Sequence, residues 1–130
     1  MKWHGNLLYV SDLDASVRFY VEVLGLPLAA RPAPHIAIVA LENGVIYLHE
    51  DPSDAPEWLK NALESNFRGA GIICHIEVAD VAALKDKLVS AGVEISRGPV
   101  EAHGQLQLYV YDPSGYNLVF VQPPAVTRRP

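Results

Sequence analysis

The run from His4 to Val10 ends in four consecutive apolar or aromatic residues, and in extended backbone it places Asn6, Leu8 and Val10 on one side and Gly5, Leu7 and Tyr9 on the other. A short run of this kind predicts a strand. The spacing then changes: Val17, Tyr20, Val21 and Leu24 recur at helical intervals, Asp12 or Asp14 can cap the start, and Gly25 supplies a left-handed stop. After Leu26-Pro27-Leu28 come two apolar runs, Ile36 to Leu41 and Val45 to His49. Glu42-Asn43-Gly44 separates them, and Asn-Gly is a strong hairpin signal. The stretch reads as β-α-β-β-β.

The same order returns further on. Gly71 to Val78 predicts a strand, Asp80 caps a helix carrying Val81, Leu84 and Leu88, and Gly92 ends it. Val93 to Ser96 and Gln105 to Tyr111 predict two more strands, and Asp112-Pro113-Ser114-Gly115 turns the chain into Asn117 to Gln122. Val10-Ser11-Asp12-Leu13 matches Val78-Ala79-Asp80-Val81, and Leu24-Gly25-Leu26 matches Ala91-Gly92-Val93. Such internal repetition has to be recognised before the fold is guessed. One domain over 1–130 is expected, of α+β class, with module one at 3–50, a connector at 51–69 and module two at 70–123. In the connector, Asp54 and Pro56 precede Trp58, Leu59, Ala62 and Leu63, which predicts a short helix. The tail from Pro123 to Pro130, with Arg128-Arg129, is expected to fray.

Composition narrows the partners. Half of the 130 residues are apolar, enough to build a core, and the net charge of −5 leaves no basic stripe for nucleic acid. No apolar run approaches the ~20 residues that span a bilayer, and Met1-Lys2-Trp3-His4 does not open a secretory signal. Membrane and nucleic acid are therefore not expected as partners. The single Cys74 excludes an internal disulfide and agrees with a cytoplasmic location; it reads as a small core residue.

Leu8-Tyr9-Val10-Ser11-Asp12-Leu13, Ser16, Phe19-Tyr20 and Leu24-Gly25-Leu26 form the first half of a longer pattern. His103-Gly104 and Tyr109-Val110-Tyr111-Asp112-Pro113-Ser114-Gly115 form the second. Together they resemble the vicinal oxygen chelate superfamily of glyoxalase I, bleomycin-resistance proteins, fosfomycin-resistance enzymes and extradiol dioxygenases. The resemblance implies two modules forming a curved, eight-stranded mixed sheet around one cavity, and a homodimer, in some members with exchanged modules. It does not imply a reaction.

Enzymes of that superfamily hold a divalent metal through four side chains on the first and last strands of the two modules. Carried over by spacing, these positions fall on Gly5, Tyr47, Ile73 and Val119. Only Tyr47 offers an oxygen, so no metal and no other cofactor is expected there. His4 adjoins Gly5, but strand alternation points it to the opposite face. His35 reads as a solvated loop residue and His103 as part of a turn. His49, His75 and Glu77 share the cavity side and form the rival metal site.

Alternation also collects Trp3, Leu7, Tyr9, Tyr47, His49, Ile73, His75, Glu77, Gln107, Tyr109 and Tyr111 on the concave side. Cys74, Ile76, Val78, Leu8, Val10, Leu106, Leu108 and Val110 face the helices as core. An apolar, aromatic wall with a few polar groups suits a small-molecule ligand, aromatic or amphipathic, and the acidic balance favours a cationic one held by Glu77. The expected function is metal-independent sequestration of such a molecule, as in antibiotic resistance, with Tyr9, Tyr47, His49, His75, Glu77, Gln107, Tyr109 and Tyr111 as ligand-binding residues. The alternative is a lyase, isomerase or dioxygenase at the shifted His49, His75 and Glu77 site. There His75 would act as base and Tyr47 as orienting acid.

Overall fold

Residues 1–65 and 68–124 are described in the computed structural model of the chain, so most of the tail expected to fray lies outside the described residues. The chain divides into two compact units. The first comprises Met1–Arg68 with Asp112–Gly115, and the second Gly69–Tyr111 with Tyr116–Pro130.

In the first unit the order is β1 (Gly5–Val10), α1 (Leu13–Val17) continued by a π turn over Arg18–Val23, β2 (Leu28–Ala33), β3 (Ile36–Leu41), β4 (Gly44–Glu50) and α2 (Glu57–Glu64). In the second it is β5 (Cys74–Glu77), α3 (Val81–Ser90), β6 (Arg97–Ala102), β7 (Gln105–Tyr111) and β8 (Asn117–Gln122). The eight strands form two four-stranded sheets of identical plan, β1-β4-β3-β2 and β5-β8-β7-β6, with the first pair of each parallel and the rest antiparallel. This is the α+β architecture expected from the repeated pattern.

The repeat extends to the helix caps. Asp12 accepts from the Ala15 amide at 3.0 Å, and Asp80 accepts from the Ala83 amide at 3.0 Å. Each carboxylate satisfies an amide that has no partner within its helix. Gly25 and Gly92, at φ 79° and 80°, end the two helical segments at equivalent places.

The first core is laid down by alternation. Leu8 and Val10 from β1, Ala37 and Val39 from β3, and Ile46 and Leu48 from β4 are all buried, as are Leu13, Phe19 and Tyr20 from the helix. Each large aliphatic removed from water contributes about 1.5–3 kcal/mol. The expected helical stripe is corrected here: Val17, Val21 and Leu24 are only half-buried, while Leu13, Ser16, Phe19 and Tyr20 face inward. The cause is the π turn, in which the Leu24 amide bonds the Phe19 carbonyl five residues back at 2.9 Å. The wider turn lets the adjacent Phe19 and Tyr20 both point inward, with their rings edge-on at 5.1 Å. The Tyr20 hydroxyl donates to buried Asp112 at 2.7 Å, and the other oxygen of Asp112 accepts from the Ser114 amide at 2.9 Å.

In the second unit Val81, Leu88, Leu108, Val110, Leu118 and Phe120 are buried. Cys74, Ile76 and Val78 are half-buried. Leu106, expected in the core, is 38% exposed because it sits one residue in from the turn that ends the sheet.

Three further expectations need correction, the first being the strand expected over Gly71 to Val78, which spans only Cys74–Glu77. Residues 93–96 form no strand; β6 starts at Arg97 and carries Pro99, which an edge strand tolerates because one row of its amides has no ladder partner. Gly44 lies in β4 and not at the turn centre, which Glu42 and Asn43 occupy. A side chain at position 44 would come within 3.1 Å of the His4 carbonyl, so glycine is placed there for close approach. The connector helix α2 is present, but none of its residues is buried and Trp58 is 71% exposed. Among the described residues no helix is long and apolar enough to cross a membrane.

Candidate functional site

Opposite its helix, the first sheet carries a row of rings, because the side chains of β1 and β4 are in register across their parallel pairing. Leu7 pairs with Tyr47, and Tyr9 with His49. The Tyr9 and His49 rings meet edge-on at 5.4 Å. His35, in the turn between β2 and β3, meets the His49 ring at 5.0 Å. His35 is exposed but is not the isolated loop residue expected.

His4 also departs from expectation. Its Nε2 lies 2.6 Å from the Tyr47 hydroxyl, with ring centroids 5.7 Å apart. Strand alternation does not reach His4, since β1 starts at Gly5, and Gly5 has φ of 153°. That backbone value, open only to glycine, turns the preceding residue back toward Tyr47. Below the rings, Arg68 braces the strand: it donates to the Tyr9 carbonyl at 2.8 Å and clasps Asp51 with two bonds of 2.7 and 2.6 Å. Nothing in the spacing of residues 51 and 68 marks them as a pair.

The remaining candidates belong to the second unit. His75, Val119, Tyr109 and Arg97 are ladder partners across four strands, and Glu77, Val121, Gln107 and Val100 form the next row. Tyr109 donates to the Gln107 side chain at 2.8 Å, and the Arg97 guanidinium lies 5.5 Å from the Tyr109 ring centre. This stacked cation was missed at the sequence level because Arg97 was placed outside a strand. His75, Glu77 and Tyr111 are exposed, while Gln107 is buried.

The positions that would hold a metal in the enzymes do not fit one. A side chain on Gly5 would overlap the Val45 carbonyl oxygen, Ile73 is an exposed alkyl group, and Val119 is a fully buried one. Tyr47 has its hydroxyl engaged by His4. Within either unit, among the described residues, no three His, Cys, Asp or Glu side chains are grouped to hold a metal. The rival trio does not form within one unit: His49 lies in the first, and His75 and Glu77 in the second.

Residues 4–120 match the family profile described as glyoxalase/bleomycin resistance protein/dioxygenase superfamily. The chain belongs to that superfamily. A Mycolicibacterium smegmatis protein of uncharacterised role is 32% identical to this superfamily member over 118 residues, covering 90% of both chains. A lactoylglutathione lyase of Haemophilus influenzae is 28% identical over 128 residues, covering 90% of this chain and 89% of its own. Among solved structures, an antibiotic-binding protein from Streptomyces sp. CB03234 superposes with a TM-score of 0.71 at 24% identity, covering 95% of this chain and 97% of that one. One similar sequence is thus named as an enzyme and one protein of the same fold as a binding protein, and the side chains present have to discriminate.

His103 illustrates that discrimination. It has φ of 54° and Gly104 has φ of 76°, so the pair forms the tight turn joining β6 to β7. His103→Asn is expected to stabilise the protein by about 0.5 kcal/mol in urea unfolding, because Asn tolerates the left-handed region better. Ligand binding should be unchanged, and a loss of binding would give His103 a functional part.

Proposed function

We propose that this chain binds a small aromatic or amphipathic molecule without a metal, and that Tyr9, Tyr47, His49, His75, Glu77, Gln107, Tyr109 and Tyr111 contribute to its recognition. The observation that carries the reading is the state of position 5, where the backbone of Val45 leaves no room for any side chain. With Ile73 and Val119 at two of the other positions, the donor set a hard cation needs is missing. What remains on the strand faces is rings with polar handles, a composition that suits a flat ligand. The antibiotic-binding relative supports the same reading, as sequestration in the manner of antibiotic resistance. The exposed Trp58 and Ile72 support a homodimer that covers them, and module exchange would be one way to form it. The lone Cys74 supports a cytoplasmic location.

The test is a titration of metal-free protein with bleomycin and a panel of planar aromatic antibiotics, cationic ones included, followed by Trp fluorescence. Saturable binding that weakens at least tenfold in Tyr109→Ala is the expected result. Absence of saturable binding across the panel, or lactoylglutathione lyase turnover on adding Ni2+ or Zn2+, would overturn the proposal.

A further inference from the structure

We propose that His35 and His49 form a binding site for a borderline transition-metal ion, of the Cu2+, Ni2+ or Zn2+ class, distinct from the four positions used in the superfamily's enzymes. His49 Nδ1 lies 2.6 Å from the backbone carbonyl oxygen of Glu50. A carbonyl only accepts, so Nδ1 carries the proton and the neutral ring keeps its lone pair on Nε2. A backbone carbonyl on the far nitrogen is the usual device that fixes the tautomer and direction of a metal-ligating imidazole. The Tyr9 ring, edge-on at 5.4 Å, restricts His49 further.

His35 is held by its backbone. Its carbonyl accepts from the Glu50 amide at 2.8 Å, which ties the turn between β2 and β3 to the end of β4. The two imidazole centroids are then 5.0 Å apart, with their planes at 68°. Two imidazoles bound to one tetrahedral ion through bonds of about 2.0 Å have their ring centres about 5 Å apart, since each centre lies roughly 1.2 Å beyond its nitrogen. The resting separation is compatible with a shared ion once rotation about the His35 side-chain bonds turns one of its ring nitrogens toward Nε2 of His49. Solvent reaches the pair, as His35 is exposed and His49 half-buried. Next to them, Asp12, Asp14 and Glu50 line a hollow of about 300 Å3 with Pro34, and their field favours cations.

No third His, Cys, Asp or Glu joins the pair among the described residues. Water fills the remaining coordination positions, so the ion exchanges readily and the affinity follows the Irving–Williams order, with Cu2+ tightest. His49 shares its sheet face with Tyr9 and Tyr47, so an ion held here would present its open positions on the ring-bearing surface.

The experiment titrates untagged, metal-free, full-length protein with Cu2+ by calorimetry and electron paramagnetic resonance. One Cu2+ per chain with hyperfine coupling from two nitrogens is expected, at least tenfold weaker in His35→Ala and in His49→Ala, with circular dichroism unchanged. Copper bound equally well by the double variant and lost in His4→Ala would assign the ion to the amino-terminal segment and overturn the inference. So would Cu2+ binding that none of these substitutions alters. Antibiotic binding in the presence of a chelator is read separately, so the failure of one proposal is distinguishable from the failure of the other.

Discussion

Arg68→Met is expected to cost about 2–4 kcal/mol in urea unfolding, far more than a surface ion pair would. The Arg68 side chain is 7% exposed and that of Asp51 31%, and the two are joined in the two-pronged geometry that only a guanidinium provides. Removing the cation strands a partly buried carboxylate and leaves the Tyr9 carbonyl without this donor, and each loss carries its own desolvation cost. Asp51→Leu alone should cost a similar amount, because it takes the carboxylate away from the more deeply buried of the two charges. The double variant should recover part of the loss but not all of it, since an apolar pair leaves neither charge buried alone while the Tyr9 carbonyl still loses the Arg68 donor. Arg68→Lys should fall between wild type and Arg68→Met, because a point charge cannot hold both carboxylate oxygens and the carbonyl at once. If Arg68→Met costs under 1 kcal/mol, the pair behaves as a solvated surface bridge and gives β1 no support. The consequence reaches the ring face, because the carbonyl that Arg68 holds belongs to Tyr9, whose ring packs on His49.

The contrast between elements shows what the chain order could reveal. β7 and β8 are found at the bounds their alternation predicts, Gln105–Tyr111 and Asn117–Gln122, because one face of each packs on a helix and a slip of one residue would expose it. α3 is bounded by Asp80 and Gly92, two residues whose chemistry is local. The edge strands β2 and β6 carry few buried side chains, and each contains a proline, so neither periodicity nor propensity marks them. The π turn is invisible for a different reason: the extra residue shifts the helical phase, and only the tertiary fit of Phe19 and Tyr20 rewards it. In the site, the placing of Tyr9 and His49 on one face follows from a period of two. The His4 to Tyr47 bond does not, since it depends on the unusual backbone of Gly5. The Arg97 to Tyr109 stack and the Arg68 to Asp51 clasp likewise depend on partners that only the folded backbone brings together.

Gly5→Ala is the second large effect, expected to destabilise by about 3 kcal/mol or more. Two costs add at this position. The backbone sits at φ 153°, a region in which a residue with a side chain loses about 1–3 kcal/mol. A β-carbon there would also overlap the Val45 carbonyl oxygen, which is backbone and cannot rotate away. Relief requires β1 to shift against β4, which disturbs the parallel pairing from Gly5 through Val10. Gly5→His tests the functional meaning of the same geometry. If position 5 were simply a vacant ligand site, the imidazole would be accommodated there in a folded protein. The expected result is the opposite: Gly5→His should unfold at lower urea than Gly5→Ala and bind no metal that His35→Ala and His49→Ala do not also abolish. A folded Gly5→His protein that gained a tightly held ion of its own would mean that β1 can reopen the superfamily's ligand position, and the metal-free reading would then lose the observation it rests on.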